Sequence, residues 1–433
     1  MQFYSTRDRS IHVSLKEAVL NGLAPDGGLY MPATIASLEP DRFRTMKDVG
    51  LVETSYQLAE ALFTDSLPGS DLEDIVTNSM NLDLVLRDLE PSLSVLETFH
   101  GPTMAFKDFG ARFMARLMSY LIRGEDQELN ILVATSGDTG SAVAAGFLDV
   151  PGINVIILYP SGKVSPSQEK QLTTQGGNIT ALEVDGNFDD CQLLVKTAFS
   201  DQDLRERMQL SSANSINIAR LLPQSFYFAQ AAVLKTNSQP VDIVIPSGNF
   251  GNLTACLIAR RMGAPIGNVV AANNRNDVFL EFLSKGRFEA RPSLPTLSNA
   301  MDVGAPSNVE RINDLYGGDM NRLRSVLSAY SFDDDQTLEK IKEVYQHYAY
   351  TVDPHTAVGL LGHEKHASQQ ERGKNAIVVS TAHPAKFPES VEGAIGRPLA
   401  IPPQLAVYLD REKQAISMDV DYDRFKAFLL ARN

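Results

Sequence analysis

Lys107 stands in the segment Phe99-His-Gly-Pro-Thr-Met-Ala-Phe-Lys-Asp-Phe-Gly110, between Phe106 and Phe109 at the entry to an apolar helix. Burial among aromatic rings disfavours an ammonium group and favours the neutral amine that condenses with carbonyls to form Schiff bases. Taken alone, such a lysine reads more simply as a snorkelling surface residue. Three loops further along add chemistry. Thr135-Ser-Gly-Asp-Thr-Gly140 follows the apolar run Asn130–Ala134, Pro246-Ser-Gly-Asn-Phe-Gly-Asn252 follows Asp242–Ile245, and Ser380-Thr-Ala-His-Pro-Ala-Lys-Phe387 follows Ala376–Val379. Hydroxyl and glycine residues at a helix start can cradle an anion through backbone N–H groups and the helix dipole. Gly248 and Gly251 would let the backbone approach a phosphate. The third loop offers a hydroxyl and an imidazole. Any one of these loops is equally a tight turn with a good helix cap; three on successive apolar runs are harder to attribute to chance. None fits the Gly-x-Gly-x-x-Gly or Gly-x-x-x-x-Gly-Lys-Ser/Thr nucleotide patterns.

The elements that must hold these loops are legible from periodicity. The runs at 130–134, 155–158, 242–245 and 376–379 are short, β-branched and apolar throughout, as in parallel strands covered on both faces. Amphipathic helices are expected at 112–122 and 337–348, and a helix at 253–261. This pattern predicts an α/β fold with mostly parallel sheets, where ligands sit beyond the carboxyl ends of the strands. The first ninety residues differ. They carry capping-box patterns at Ser14–Glu17 and Ser70–Glu73 and a turn at Asp26-Gly-Gly28. We expect an N-terminal α+β unit over 1–95 and a catalytic part over 96–433 in two lobes. The smaller lobe lies at about 130–190, and a tail runs from about 400 to 433.

Composition excludes several classes. The 433 residues are 43% hydrophobic and 21% charged, with a formal net charge of −14. An acidic chain is a poor nucleic-acid or anionic-membrane binder, because counterion release needs a basic stripe. Cys191 and Cys256 are too few for a disulfide framework or a cysteine zinc site and read as buried thiols. No apolar run reaches membrane-spanning length, and the chain is expected in the cytoplasm. In Gly362-His-Glu-Lys-His366 the histidines are three apart, not the four of a zinc-binding His-Glu-x-x-His, so no metal is assigned and an exposed charged helix end is expected. His355 is expected to begin a helix.

His100-Gly-Pro-Thr-Met-Ala-Phe-Lys-Asp-Phe resembles the cofactor-lysine motif of the threonine synthase family. Thr-Ser-Gly-Asp-Thr-Gly, Ser-Gly-Asn-Phe-Gly-Asn and Thr-Ala-His-Pro-Ala-Lys-Phe resemble its other landmarks, in the family's order. Asp26-Gly-Gly-Leu-Tyr-Met-Pro32, Ser211–Arg220 and Asp353-Pro-His-Thr-Ala357 are also similar. The resemblance implies a tryptophan-synthase-β-like fold with pyridoxal 5′-phosphate (PLP) as cofactor. The reaction it implies converts O-phospho-L-homoserine to L-threonine and phosphate. It further implies that Lys107 forms the Schiff base with PLP. Gly248, Asn249, Phe250, Gly251 and Asn252 would form the cofactor phosphate cup. Asp138 would meet the ring hydroxyl and Thr381 the pyridine nitrogen. Thr135, Ser136 and Thr139 would hold the substrate carboxylate or phosphate, and Asn214, Ser215 and Arg220 the substrate phosphate. Lys163 and His383 are left open. A dehydratase of the same fold would need no second phosphate site, and a non-catalytic relative would not need an intact Lys107.

Overall fold

The computed structural model describes residues 1–432 apart from 64–65, 126, 238 and 370–374. Strands β1 (Gln2–Ser5), β2 (His12–Ser14) and β3 (Tyr30–Pro32) form a three-stranded antiparallel sheet in the order β2-β1-β3. Helix Leu15–Asn21 packs on it, while Leu51–Phe63 and Gly69–Ser79 pack on each other and on the helices Gln224–Lys235 and Lys107–Leu121. Ser14 and Glu17 make the expected capping box. Ser70 does not: its helix starts one residue earlier, after Pro68, with no side-chain cap. The fixed φ of Pro68 sets the helix entry instead.

The remaining strands are β4 (Val85–Glu90), β5 (Leu93–Glu97), β6 (Leu129–Ala134), β7 (Ile153–Pro160), β8 (Ile179–Val184), β9 (Gln209–Ser212), β10 (Val241–Pro246), β11 (Ile266–Asn273), β12 (Leu327–Ser331), β13 (Ala376–Ser380) and β14 (Ile416–Met418). They build two sheets. A six-stranded sheet runs β12-β11-β10-β13-β5-β4, parallel except for β4, which returns antiparallel to β5 at the edge. A five-stranded, wholly parallel sheet runs β14-β8-β7-β6-β9. The expected strands are all present, and β6, β10 and β13 are buried along their whole length, which is why they read as unbroken apolar runs. The helix Pro354–Ala367 lies close on the large sheet because Gly359 and Gly362 lack side chains. A Cβ there would stand 2.8 Å from Val378 and from Ala272 respectively.

One expectation changes here. His366 is not on an exposed helix end: it is buried with its Nε2 3.7 Å from Asp242, because the Gly362 face of its helix turns toward the sheet. The tail packs on the small sheet. β14 adds to β8, and the helix Tyr422–Leu430 sets Phe425 and Leu429, both fully buried, against the apolar face carrying Leu132, Ile156 and Leu182. Cys191 and Cys256 are both buried free thiols. Among the described residues no helix is long and apolar enough to cross a membrane.

Phe425→Ala should therefore cost about 3–5 kcal/mol, the range for emptying a buried phenylalanine site. A lowered urea midpoint of the apo protein checks it; an unchanged midpoint would mean that the tail does not support the small sheet.

Candidate active site

Lys107 opens the helix Lys107–Leu121. Its approach is set by the loop after β13. Ala105 bridges Ala382, Phe106 N–H donates to the Thr381 carbonyl at 2.9 Å, and His383 N–H donates to the Met104 carbonyl at 3.1 Å. Met104 turns the chain at φ +58°. The buried Asp108 carboxylate closes that turn by accepting from Thr103 N–H at 2.9 Å and its hydroxyl at 2.6 Å. A Cβ on Gly101 would stand 2.3 Å from Asp108, so only glycine fits there. Burial raises the Asp108 carboxyl to about 6, partly offset by the Thr103 hydrogen bonds. The Lys107 side chain is 15% exposed, with Nζ 3.6 Å from Asp138 Oδ2 and 5.4 Å from the Phe106 ring centre. Burial pushes this amine below its ordinary value. Asp138 works against that shift, and the positive charges of Lys386 and Arg220 reinforce it.

Asp138 begins the helix Asp138–Phe147 after β6. Its Oδ1 accepts from Lys386 Nζ at 2.5 Å and from Gln168 Nε2 at 2.9 Å. Burial alone would raise this carboxyl. Lys386 and Lys107 outweigh burial and hold it far below the usual carboxylate range. Lys386 is wholly buried and also donates to the Thr103 carbonyl at 2.9 Å. Sequence reasoning missed it, although it lies inside the Ser380–Phe387 segment; a lysine behind a strand-end proline, with a buried aspartate to neutralise, was the available signal. In the neighbouring loop Thr135 is buried. Its hydroxyl accepts from the amides of Gly137 at 3.0 Å and Gly140 at 2.9 Å, so it shapes the loop from within. Ser136 is exposed and Thr139 half-buried at the mouth of the same loop.

The loop Gly248–Asn252 leads into the helix Gly251–Arg261, which has no side-chain cap. Its first amides therefore lack intrahelical partners. Phe250 takes the left-handed conformation at φ +59° and buries its ring 4.3 Å from that of Phe279. A Cβ on Gly248 would stand 2.5 Å from Met301 Cα. Asn252 Oδ1 accepts from the Tyr227 hydroxyl, while its buried Nδ2 has no protein partner. An uncapped helix start with an orphaned buried donor fits a bound phosphate. Asn249 Nδ2 donates to the Ser215 hydroxyl at 2.6 Å, and Asn214 Nδ2 to the Ala134 carbonyl at 3.1 Å. Segment 214–215 thus joins the loop after β6 to the loop after β10.

Two buried guanidinium groups flank that segment. Arg220 donates to the Ala213 carbonyl at 2.6 Å, and its buried Nε has no partner. It forms no ion pair among the described residues, and burial lowers its pKa to about 10. Arg311, fully buried, donates to Ser215 O, Ile216 O, Asn308 Oδ1 and Tyr30 O. Burial lowers it to about 9. Sequence reasoning missed Arg311, which sits in the helix Val309–Leu315 with no surrounding motif to mark it. Its bond to Tyr30 also ties the N-terminal sheet to the site.

Thr381 is 7% exposed, directly after the end of β13. His383 caps the turn Pro384–Lys386 by accepting from Ala385 N–H at 3.1 Å, and burial, with His100 beside it, lowers it to about 4. His355 is second in its helix, after the cap Asp353, as expected. It contacts Asp353 at 2.6 Å and accepts from Ala300 N–H at 3.2 Å, a structural position beneath Gly248. Lys163 is exposed.

A buried, depressed lysine amine and an uncapped helix start able to bind an anion, carried on two largely parallel sheets, are the parts of a PLP-dependent enzyme. A family model described as pyridoxal-phosphate dependent enzyme matches residues 87–382. Models of the threonine synthase N terminus and C-terminal region match 2–80 and 356–429. The threonine synthase of Haemophilus influenzae is 41% identical over 99% of this chain and 100% of its own. The structure of threonine synthase from Escherichia coli superposes with a TM-score of 0.92 at 37% identity, covering 100% of both chains. The PLP-bound threonine synthase from Brucella melitensis gives 0.91 at 33% identity, covering 99% of this chain and 98% of that one. The chain belongs to the threonine synthase family, and its cofactor is PLP.

Arg311→Met should leave at least two buried carbonyls without donors, at about 1–3 kcal/mol each. The apo variant is expected to lose about 3 kcal/mol or more in urea unfolding, and an undiminished stability would mean that other donors replace Arg311.

Proposed function

We propose that the chain converts O-phospho-L-homoserine and water to L-threonine and phosphate, with Lys107 as the cofactor-bearing residue and proton carrier. One observation carries the substrate assignment. With the loop Gly248–Asn252 taken as the cofactor's phosphate cup, Arg220 remains buried beside Lys107, in no ion pair among the described residues and with an unused Nε. A buried unpaired guanidinium is costly unless an anion completes it. A second phosphate, that of the substrate, would do so, with Asn214 and Ser215 adjoining. Thr135 would support this loop from within while Ser136 and Thr139 face the substrate at its mouth.

When bound, the cofactor draws electrons from the substrate's α carbon and so makes protons at Cα and Cβ removable. Lys107 would take the Cα proton and then a Cβ proton, since one mobile amine can reach both. Phosphate then leaves Cγ, with Arg220 balancing its charge, and Lys107 would pass the proton taken from Cβ to Cγ, which becomes the methyl group. Water adds at Cβ, and Lys107 returns a proton to Cα. Thr381 would face the ring nitrogen; a neutral hydroxyl does not force its protonation, which tempers the electron withdrawal. Asp138 would face the ring hydroxyl. The division into an N-terminal unit over 1–95 and a two-lobed catalytic part with a tail is part of this proposal. Cytoplasmic residence is proposed with it.

Lys107→Ala should fold but lose cofactor retained after borohydride reduction, together with nearly all turnover. Cofactor still attached to the variant would move the assignment elsewhere. Arg220→Ala should load cofactor normally and lose affinity for O-phosphohomoserine by about 2–3 kcal/mol, the worth of a charge-assisted contact. If it weakened unphosphorylated homoserine equally, Arg220 would not be the phosphate residue.

A further inference from the structure

Beside Lys107 stands a buried lysine that takes no part in the proposed reaction. Lys386 is fully buried, brought to the site by the Pro384–Lys386 turn after β13, and held by the Thr103 carbonyl at 2.9 Å. Its contact with Asp138 is 2.5 Å, whereas Lys107 stands 3.6 Å from the same carboxylate. Gln168 occupies Oδ1 as well, so the carboxylate is oriented by groups other than Lys107. The charged groups around the Lys107 amine are Asp138 from the helix after β6, Lys386 from the turn after β13 and Arg220 from the helix Ile218–Leu221. Asp108, next on its own helix, is turned away into the Thr103 bonds. One carboxylate thus serves two lysines, and the geometry gives the short contact to the one that does no chemistry.

We propose that Lys386 is a positioning residue that claims the Asp138 carboxylate and so keeps Lys107 out of a tight ion pair, leaving its amine neutral and mobile. The proposal rests on Lys107 being the cofactor-bearing residue. An ammonium locked against a carboxylate is neither nucleophile nor base. Without Lys386, Asp138 has one cation left to pair with, and Lys107 also loses a repelling neighbour. Both changes favour the protonated amine.

The test reads the Lys107 amine in the apo protein, without cofactor or substrate. Reductive methylation with formaldehyde is followed against pH and quantified at Lys107 by peptide mass. In the wild type the midpoint should lie below about 10.4, the ordinary lysine value; a midpoint at or above it overturns the proposal outright. Lys386→Met should raise the midpoint by about one unit or more, with labelling on the acid side of both midpoints slowed about tenfold. Lys386→Gln keeps a neutral donor of similar reach and should show the same rise; it serves if the methionine variant fails to fold. Asp138→Asn should move the midpoint the other way, and Asp138→Asn/Lys386→Met should fall between the two single variants. A midpoint unmoved in folded Lys386 variants would make Lys386 merely structural. If that occurred while cofactor still loaded on Lys107, only this proposal would fall; cofactor absent from Lys107 in the wild type would instead remove the reading beneath it.

Discussion

A carboxylate shared by two lysines in a dry interior constrains everything around it. Asp138 stays ionised against the cost of burial only because Lys386, Lys107 and Gln168 surround it. Each of the four comes from a different part of the chain: the start of the helix after β6, the turn after β13, the start of the helix Lys107–Leu121, and the helix Pro166–Thr173. Fixing that cluster fixes the two lobes at their carboxyl-terminal edges. The Ala105–Ala382 bridge and the hydrogen bonds on either side of it are the backbone expression of the same constraint.

Positive charge on the other side of the site is handled differently. Among the described residues Arg220 and Arg311 form no ion pair and donate to carbonyl and amide oxygens, so two buried cations around segment 213–216 have no carboxylate in contact. Removing such groups from water costs several kcal/mol per ion, which argues that the protein is built to be completed by anions. This also reconciles a formal net charge of −14 with phosphorylated ligands. Long-range repulsion is screened by salt, whereas a donor cluster in a low-dielectric cleft is not. Arg311 further links this region to the Tyr30 carbonyl, so the N-terminal sheet is tied to segment 215–216.

Sequence reasoning succeeded where a physical constraint is local. Unbroken β-branched runs located β6, β7, β10 and β13, since strands covered on both faces admit few polar residues. Glycine at 248 and 251 and hydroxyls after strand ends marked the loops, because close backbone approach and free helix amides need those residue types. It erred where a local signal competes with a neighbour. Ser70 has the residues of a capping box, but Pro68 sets the helix start first. His366 sits among charged residues, yet a glycine face turns it inward.

The chain by itself determined the element types, the α/β class, the attachment lysine as candidate and the loops that carry polar donors. These are set by periodicity and residue chemistry over a few neighbouring positions. Only the tertiary structure decided that Lys386 rather than Lys107 takes the short contact with Asp138, that Arg311 backs segment 215–216, and that the tail completes the small sheet. Each of these joins residues far apart in sequence: Asp138 with Lys386, Ser215 with Arg311, Leu182 with Ile416. No local spacing encodes such pairs, because burial and charge balance are properties of the packed chain, and they appear only when the lobes have closed around them.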